Sequence, residues 1–153
     1  MDVPEELKEN INKLLEKNQI NKILEDAQNV SDRYRKNEGI GKRLLTKESE
    51  AVSYAISRMP ATYAAVSSVL EQILDSYHES LTSIIDVGAG TGAAVWAIND
   101  RTKSNDIKCL EREESMISIG KKLMKNTDLN DVKWDKFDIL KDDIKENGDV
   151  VIS

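Results

Sequence analysis

The sequence is poor in cysteine and in aromatic residues, and each shortage narrows what the protein can be. Its 153 residues include a single cysteine, Cys109, and 5% of them are aromatic. One cysteine excludes an internal disulfide and any four-cysteine metal or iron–sulfur site within this chain, and we expect a reducing, cytoplasmic location. The few aromatic residues predict an aliphatic core. No run of about 18 apolar residues is present, so no membrane span is expected.

Acidic residues outnumber basic ones over the whole chain. There are 28 Asp and Glu against 22 Lys and Arg, which gives a net charge of −6 at pH 7. This balance argues against wholesale non-specific binding to nucleic acid or to an anionic membrane. Residues 32–58 are the exception, with seven basic and four acidic side chains. That segment is either a solvated surface or a local contact to RNA phosphate.

Hydrophobic periodicity divides the chain into two parts. Residues 1–80 carry apolar side chains at helical spacing and predict an N-terminal helical region. Pro60 is expected to end one helix or to open the next, because the residue before a proline avoids the helical conformation. Residues 81–153 alternate short apolar runs with helical patterns. Such strand–helix–strand units predict an α/β fold of Rossmann-like type, with a cleft at the carboxyl ends of its parallel strands.

A glycine-rich loop follows the first predicted strand, in "SIIDVGAGTGAAVWA" at residues 83–97. Glycines there allow a tight turn, a close approach of the backbone to a ligand, and close packing of the following helix. The start of that helix presents free N–H groups. The pattern is typical of a loop that holds a nucleotide-like cofactor, although a structural turn without a ligand is also compatible with it.

The acidic residue before the loop distinguishes between two cofactors. The dinucleotide pattern G-x-G-x-x-G/A is met with Ala93 at its last position. The D/E-x-G-x-G-x-G pattern is met in full, and it resembles the signature of class I S-adenosylmethionine-dependent methyltransferases. A carboxylate at the strand end repels a pyrophosphate and suits a ligand with ammonium and sulfonium groups. We therefore expect S-adenosylmethionine as the cofactor, with these binding residues: Asp86, Gly88, Ala89, Gly90 and Gly92.

The second predicted strand and the helix after it extend this site. Glu111 closes the strand "IKCLE", where a carboxylate is placed to accept both ribose hydroxyls. Arg112, the next residue, is included in the predicted cofactor site. Met116 lies on the following helix, where an apolar residue packs under the adenine in methyltransferases of this type. Plain core packing is an equally good expectation for Met116.

The third predicted strand ends in two acidic candidates. Asp138 in "KFDIL" resembles the acidic residue that accepts a hydrogen bond from the adenine amino group, with Phe137 or Ile139 as a wall of the pocket. Asp135 competes with Asp138 for this role. The sequence alone leaves both alternatives open.

No residue is identified as a catalytic group or as a metal ligand. His78, the one histidine, lies at a predicted helix end without a serine or cysteine nucleophile pattern nearby, and is expected to cap the helix or face solvent. Cys109 is expected to be a small buried strand residue. No spacing of His or Cys residues indicates a metal site.

Two segments together resemble one particular family. They are "SRMPATYAAVSSVLEQI" at residues 57–73 and the glycine loop followed by Trp96. Over residues 30–153 the chain resembles the methyltransferase-like proteins of the mitochondrial small ribosomal subunit and their bacterial relatives. Arg58, Thr62 and Tyr63 match the helical motif of this family. They are expected either to line the cofactor cleft or to dock the helices, with Tyr63 as an amphipathic wedge.

The resemblance implies an S-adenosylmethionine-binding fold and a partner in the small ribosomal subunit or its rRNA. Two functions follow from it, methyl transfer to small-subunit rRNA, or a non-catalytic role in ribosome assembly with a structural or vestigial cofactor site. The cysteines that hold an iron–sulfur cluster in mitochondrial members are not carried over, since Cys109 is alone.

The resemblance also implies a longer sheet than this sequence predicts. A complete class I methyltransferase sheet continues beyond the four strands predicted for residues 81–153, and the sequence ends at Ser153. Residues 81–153 are therefore expected to form a partial cofactor-binding domain, truncated after the fourth strand and without the acceptor site. An unfinished sheet edge invites pairing with another chain, which predicts a homodimer.

Overall fold

Helices come first in the chain and then alternate with strands. The computed structural model describes residues 2–17, 20–36, 47–102 and 104–153. None of the helices in these ranges combines the length and the apolar character that a membrane span requires. The elements are α1 (Glu5–Glu16), α2 (Ile20–Arg35), α3 (Glu48–Leu74), β1 (Ser83–Val87), α4 (Ala93–Thr102), β2 (Asp106–Glu111), α5 (Glu114–Met124), β3 (Lys133–Lys136) and β4 (Val150–Ile152).

The four strands form one parallel sheet in the order β3-β2-β1-β4. Asp86 of β1 is level with Cys109 of β2 on one side and with Ile152 of β4 on the other. The strand order reverses at β1, and in open parallel sheets ligands bind beyond the carboxyl ends of the strands at such a point. The predicted fold class, a helical region followed by a partial Rossmann-like sheet, is confirmed.

The two faces of the sheet lie in different hydrophobic clusters. Ile84 and Ile107 point into the main cluster, which also contains buried side chains of α1, α3, α4 and α5. Ile85 and Leu110, whose side chains alternate to the opposite face, belong to a smaller cluster with Phe137 packed against it. The boundary predicted at residues 80 and 81 falls between α3 and β1, and the two sides of it share the main cluster.

Helix α3 is one continuous helix, so the predicted interruption at Pro60 is wrong. It runs from Glu48 to Leu74 with Pro60 inside it. The proline lies on the exposed side, whereas Met59 and Tyr63 are buried on the other. A proline removes one helical hydrogen bond and costs about 3 kcal/mol in a helix interior. Burial of the apolar face on both sides of Pro60 offsets that cost.

Polar contacts fix α3 along α4. The Tyr63 hydroxyl donates to Asp100 Oδ2 at 3.3 Å. Arg101 of α4 donates to Ser67 Oγ at 3.1 Å and forms an ion pair with Glu71 at 2.8 Å. These contacts orient α3 so that its first half reaches the carboxyl edge of the sheet, where Thr91 donates through its hydroxyl to the sulfur of Met59 at 3.5 Å.

Replacing the proline tests whether packing alone keeps α3 continuous. We expect Pro60→Ala to raise the free energy of unfolding by about 2 kcal/mol, since the helix gains a hydrogen bond. The greater entropy of the unfolded alanine chain offsets part of that gain. Urea denaturation followed by circular dichroism measures this. The matched change Ala61→Gly, also on the exposed side, is expected to lower stability by about 1 kcal/mol. A Pro60→Ala variant less stable than wild type would contradict the inference that Pro60 destabilises α3 and that burial offsets this cost.

Candidate functional site

The loop between β1 and α4 depends on its glycines. Gly88, Gly90 and Gly92 have φ angles of +73°, +57° and +88°, in the left-handed region that side chains with a Cβ rarely adopt. The N–H groups of Gly88 and Ala89 donate to the carbonyl of Leu110 at 2.8 and 3.2 Å. The loop is therefore fastened to the end of β2 as it leaves β1.

Gly92 also permits close packing behind the loop. A Cβ on Gly92 would lie 2.5 Å from Cε of Met124 and 3.5 Å from the indole of Trp134. Gly120 of α5 lies against the same Trp134 indole, and a Cβ on Gly120 would lie 2.4 Å from that ring. The third glycine of the loop thus lets α4, α5 and β3 meet without a side chain between them.

Asp86 places a buried carboxylate directly before this loop. Its side chain is 3% exposed, and its Oδ2 atom has no hydrogen-bond partner among the described residues. Burial raises the pKa of Asp86 to about 7, and the nearby carboxylate of Glu111 raises it further. Buried polar atoms in proteins are nearly always paired, so an orphaned carboxylate with a raised pKa in a strand-end cleft indicates a functional group.

Glu111 holds the loop and the start of α5 together. Its Oε2 accepts from the Gly90 N–H at 2.7 Å, and its Oε1 accepts from the Glu113 N–H at 2.8 Å. The sequence predicts that Glu111 accepts ribose hydroxyls. Each carboxylate oxygen has two acceptor positions, so the side chain retains capacity for a hydroxyl beside its N–H donors. The ribose role stays a prediction.

Met116 and Tyr54 flank Gly90 from two different helices. A Cβ built on Gly90 would lie 3.4 Å from Cε of Met116 and 3.9 Å from Cε1 of Tyr54. Met116 is buried in the main cluster, which accords with both expectations for it, core packing and a cofactor contact. Tyr54 was not predicted. It belongs to α3, and nothing in the sequence indicates that this helix passes the loop.

The structure separates the two acidic candidates of the third strand. Asp135 forms an ion pair with Lys108 at 2.7 Å and is level with Leu110, whose side chain faces the smaller cluster. Asp138 follows the carboxyl end of β3, and its Oδ1 accepts from the Leu140 N–H at 3.0 Å. The position of Asp138 fits the strand-end role better, and the adenine contact stays a prediction.

The remaining neighbours of these candidates make local contacts. Arg112 donates from Nε to Glu113 Oε1 at 3.2 Å. Phe137 packs against the smaller cluster and its N–H donates to the carbonyl of Glu111 at 3.0 Å. Ile139 is 65% exposed. Neither Phe137 nor Ile139, the two predicted walls of the adenine pocket, belongs to the main cluster behind the glycine loop.

The three motif residues of α3 have different surroundings. Tyr63 docks α3 against α4, which is the amphipathic role considered for it. Thr62 and Arg58 are both exposed, and Arg58 donates to Ser31 Oγ at 3.4 Å. Arg58 also lowers the pKa of Tyr54, against the larger effect of burial, so its charge lies close to the loop side of α3.

The lone cysteine and histidine have the surroundings expected of structural residues. Cys109 is fully buried in β2, and burial raises the pKa of its thiol well above the usual range, with Asp86 and Glu111 adding to the effect. His78 is exposed after the end of α3. Within the described part of the chain, no group of His, Cys, Asp and Glu is arranged to hold a metal ion.

The chain is similar to a family of ribosomal proteins. Residues 48–153 match the family described as mitochondrial small ribosomal subunit Rsm22. The matched span starts at the first residue of α3 and includes the whole sheet, so it contains every candidate residue of the cleft. No curated protein matches the chain.

Solved methyltransferases share the fold. A Methanococcus maripaludis protein assigned as an S-adenosyl-L-methionine-dependent methyltransferase superposes with a TM-score of 0.55 at 21% identity, over 72% of this chain and 50% of that one. The plantazolicin methyltransferase BpumL, solved with a monoazolic desmethylPZN analog and SAH, gives 0.53 at 16% identity, over 95% and 49%. The chain spans about half the length of these proteins. At these identities the likeness shows the fold.

The raised pKa of Asp86 makes stability depend on pH. Between about pH 4 and pH 7 the unfolded chain loses the Asp86 proton and the folded chain keeps it, so stability falls as the pH rises through this window. We expect Asp86→Asn to stabilise the protein by about 2 to 4 kcal/mol at pH 8 and to have little effect at pH 4. Urea denaturation at both pH values measures this.

The exposed change Asp128→Asn serves as its control, with no pH-dependent gain expected. A destabilising Asp86→Asn at pH 8 would show instead that the carboxylate is paired in the folded protein.

Proposed function

Because the chain belongs to the family of the mitochondrial small ribosomal subunit protein Rsm22, we propose that it binds S-adenosylmethionine at the glycine loop. We further propose that the whole protein acts on the small ribosomal subunit, as a methyltransferase of its rRNA. One observation carries the cofactor proposal. It is the buried carboxylate of Asp86, whose Oδ2 has no partner in the described part of the chain, directly before three glycines in left-handed conformations.

The charges around the loop favour this cofactor over a dinucleotide. Beyond the larger effect of burial, Glu111 is close enough to raise the pKa of Asp86. Both carboxylates also add to the effect of burial on the pKa of the Cys109 thiol, which is level with Asp86 in the sheet. Two carboxylates in one cleft repel a pyrophosphate and attract a ligand with cationic groups. S-adenosylmethionine carries an ammonium and a sulfonium, whereas a dinucleotide places its phosphates at this loop.

The described residues divide the binding task by chemistry. The loop offers room for close approach at Gly88, where a Cβ would meet no atom within 4 Å, and Asp86 offers a negative charge. Glu111 offers acceptor capacity for hydroxyls, and Met116 offers an apolar surface. Arg112 and Asp138 complete the proposed set. When bound, the cofactor supplies an electrophilic methyl group, and the contribution of the protein is to position the reactants.

Support for an RNA partner comes from the family and from part of the basic segment. Arg33 is committed to an ion pair with buried Glu50 at 2.9 Å, so it contributes to the fold. Arg35 and Lys36 at the end of α2 are exposed, as is Lys47 before α3. Exposed cations of this kind are suited to RNA phosphate. Arg58 is also exposed and donates to Ser31 Oγ at 3.4 Å. The last two basic residues predicted for this role, Lys42 and Arg43, lie outside the described residues.

A non-catalytic assembly role is the alternative proposal. It is favoured by the way the loop is held, because Glu111 and Leu110 accept its N–H groups from within the chain. A loop with internal partners keeps its conformation without a ligand. In that function the cofactor site is structural or vestigial, and the protein contributes a surface to the small subunit.

Calorimetric titration of the 153-residue chain with S-adenosylmethionine tests the cofactor proposal. At pH 8 we expect binding to wild type, and an affinity about tenfold lower for Asp86→Asn, because the ligand loses an ionic partner in a buried site. Asp128→Asn is expected to bind as wild type does. A wild-type chain without binding heat or thermal shift at millimolar cofactor would remove the proposal.

The same titration has a pH dependence with a known sign. A cationic ligand binds the ionised form of Asp86, whose pKa is about 7 in the free protein. Affinity is therefore expected to rise about fivefold from pH 6 to pH 8 in wild type. In Asp86→Asn the affinity is expected to stay level over this range. An equal slope in both proteins would assign the pH effect to another group.

A methyl-transfer assay separates the enzyme from the assembly factor. Small-subunit rRNA is incubated with labelled S-adenosylmethionine and either this chain or a full-length family member. Incorporation by either protein that is lost when Asp86, or its equivalent in the family member, is replaced by asparagine supports catalysis. Cofactor binding combined with background incorporation by the full-length protein supports the non-catalytic role.

A further inference from the structure

Tyr54 occupies a position that the loop alone does not explain. It lies on α3, one helical turn before Arg58, and is half-buried where this helix passes the glycine loop. A Cβ built on Gly90 would lie 3.9 Å from Cε1 of Tyr54 and 3.4 Å from Cε of Met116. Two side chains from different helices therefore face the same glycine.

The surrounding packing holds Tyr54 at this place. Its neighbours on α3, Ala55 and Met59, are buried in the main cluster, and the Met59 sulfur accepts from the Thr91 hydroxyl beside Gly90. The helix is thus in contact with the loop at Met59, a little more than one turn after Tyr54. A fixed helix presents the tyrosine ring with little loss of conformational freedom when a ligand binds.

Charges near the tyrosine indicate which half of a ligand it meets. Burial raises the pKa of Tyr54, and beyond that effect Arg58 lowers it and Glu111 raises it. The carboxylate of Glu111 is close enough to affect both Tyr54 and Asp86, which makes the loop side of this space electronegative. The negative face of an aromatic ring adds to that preference for a cation. Met116, an apolar side chain, is suited to an uncharged ring system on the other side of Gly90.

We propose that the ring of Tyr54 contacts the sulfonium half of S-adenosylmethionine. This contact makes the site prefer S-adenosylmethionine over S-adenosylhomocysteine, whose sulfur carries no charge. The inference rests on the proposed function, because it names a further residue of the same site. It brings α3 into the cofactor pocket, so the pocket is built from the helical region as well as from the sheet.

Calorimetric titration with both ligands tests the proposal. Tyr54→Leu is expected to weaken S-adenosylmethionine binding about tenfold and S-adenosylhomocysteine binding no more than about twofold, since a leucine keeps apolar contact and lacks the cation–π attraction. Tyr54→Phe keeps the ring and is expected to bind both ligands as wild type does. Tyr77→Leu, an exposed tyrosine beyond the end of α3, is the matched control and is expected to change neither affinity.

The outcomes distinguish this inference from the proposed function. Equal losses for both ligands in Tyr54→Leu, or a Tyr54→Phe variant as weak as Tyr54→Leu, would overturn the ring–sulfonium contact while cofactor binding stands. A wild-type chain that binds neither ligand overturns the proposed function and this inference together. Thermal unfolding checks that each variant is folded, and Tyr54→Met replaces Tyr54→Leu in the comparison if the leucine variant is not.

Discussion

The packing of α3 along α4 determines where the other described elements meet. One buried face of α3 continues past Pro60, and the Tyr63 hydroxyl and the Arg101 guanidinium fix its direction. Because α4 begins directly after the glycine loop, a helix fastened to α4 is also placed relative to the loop. The helical region is therefore one wall of the cleft at the end of β1, and the main hydrophobic cluster extends through both parts of the chain.

The electrostatics of the cleft oppose the stability that the packing provides. Asp86 and Glu111 are buried carboxylates at the ends of neighbouring strands, and the buried thiol of Cys109 lies beside Asp86 in the sheet. Glu111 is paired with two backbone N–H groups, whereas Asp86 Oδ2 has no partner among the described residues. Local arrangements that reduce stability without evident structural benefit are concentrated at functional sites. Asp86 has this character and Glu111 does not.

The sequence predicts the loop and the sheet well because both depend on local rules. Three left-handed φ angles require glycine, and alternating strand and helix patterns lead to parallel pairing. The continuity of α3 could not be predicted, since propensity at Pro60 is overridden by burial that the sequence does not display. Tyr54 was missed for the same reason, because its contact with the loop joins distant parts of the chain. The choice between Asp135 and Asp138 required the register of β3 against β2.

The hydrogen bonds that Glu111 accepts from Gly90 and Glu113 have a kinetic consequence. A loop that is already ordered in the free protein does not wait for a rearrangement when a ligand arrives. The association rate at such a site is limited by diffusion and by the orientation of the ligand on encounter. Differences in affinity then appear mainly in the dissociation rate. The lifetime of the proposed complex is then set by the groups that hold the ligand after entry, and we propose the charge of Asp86 for this role.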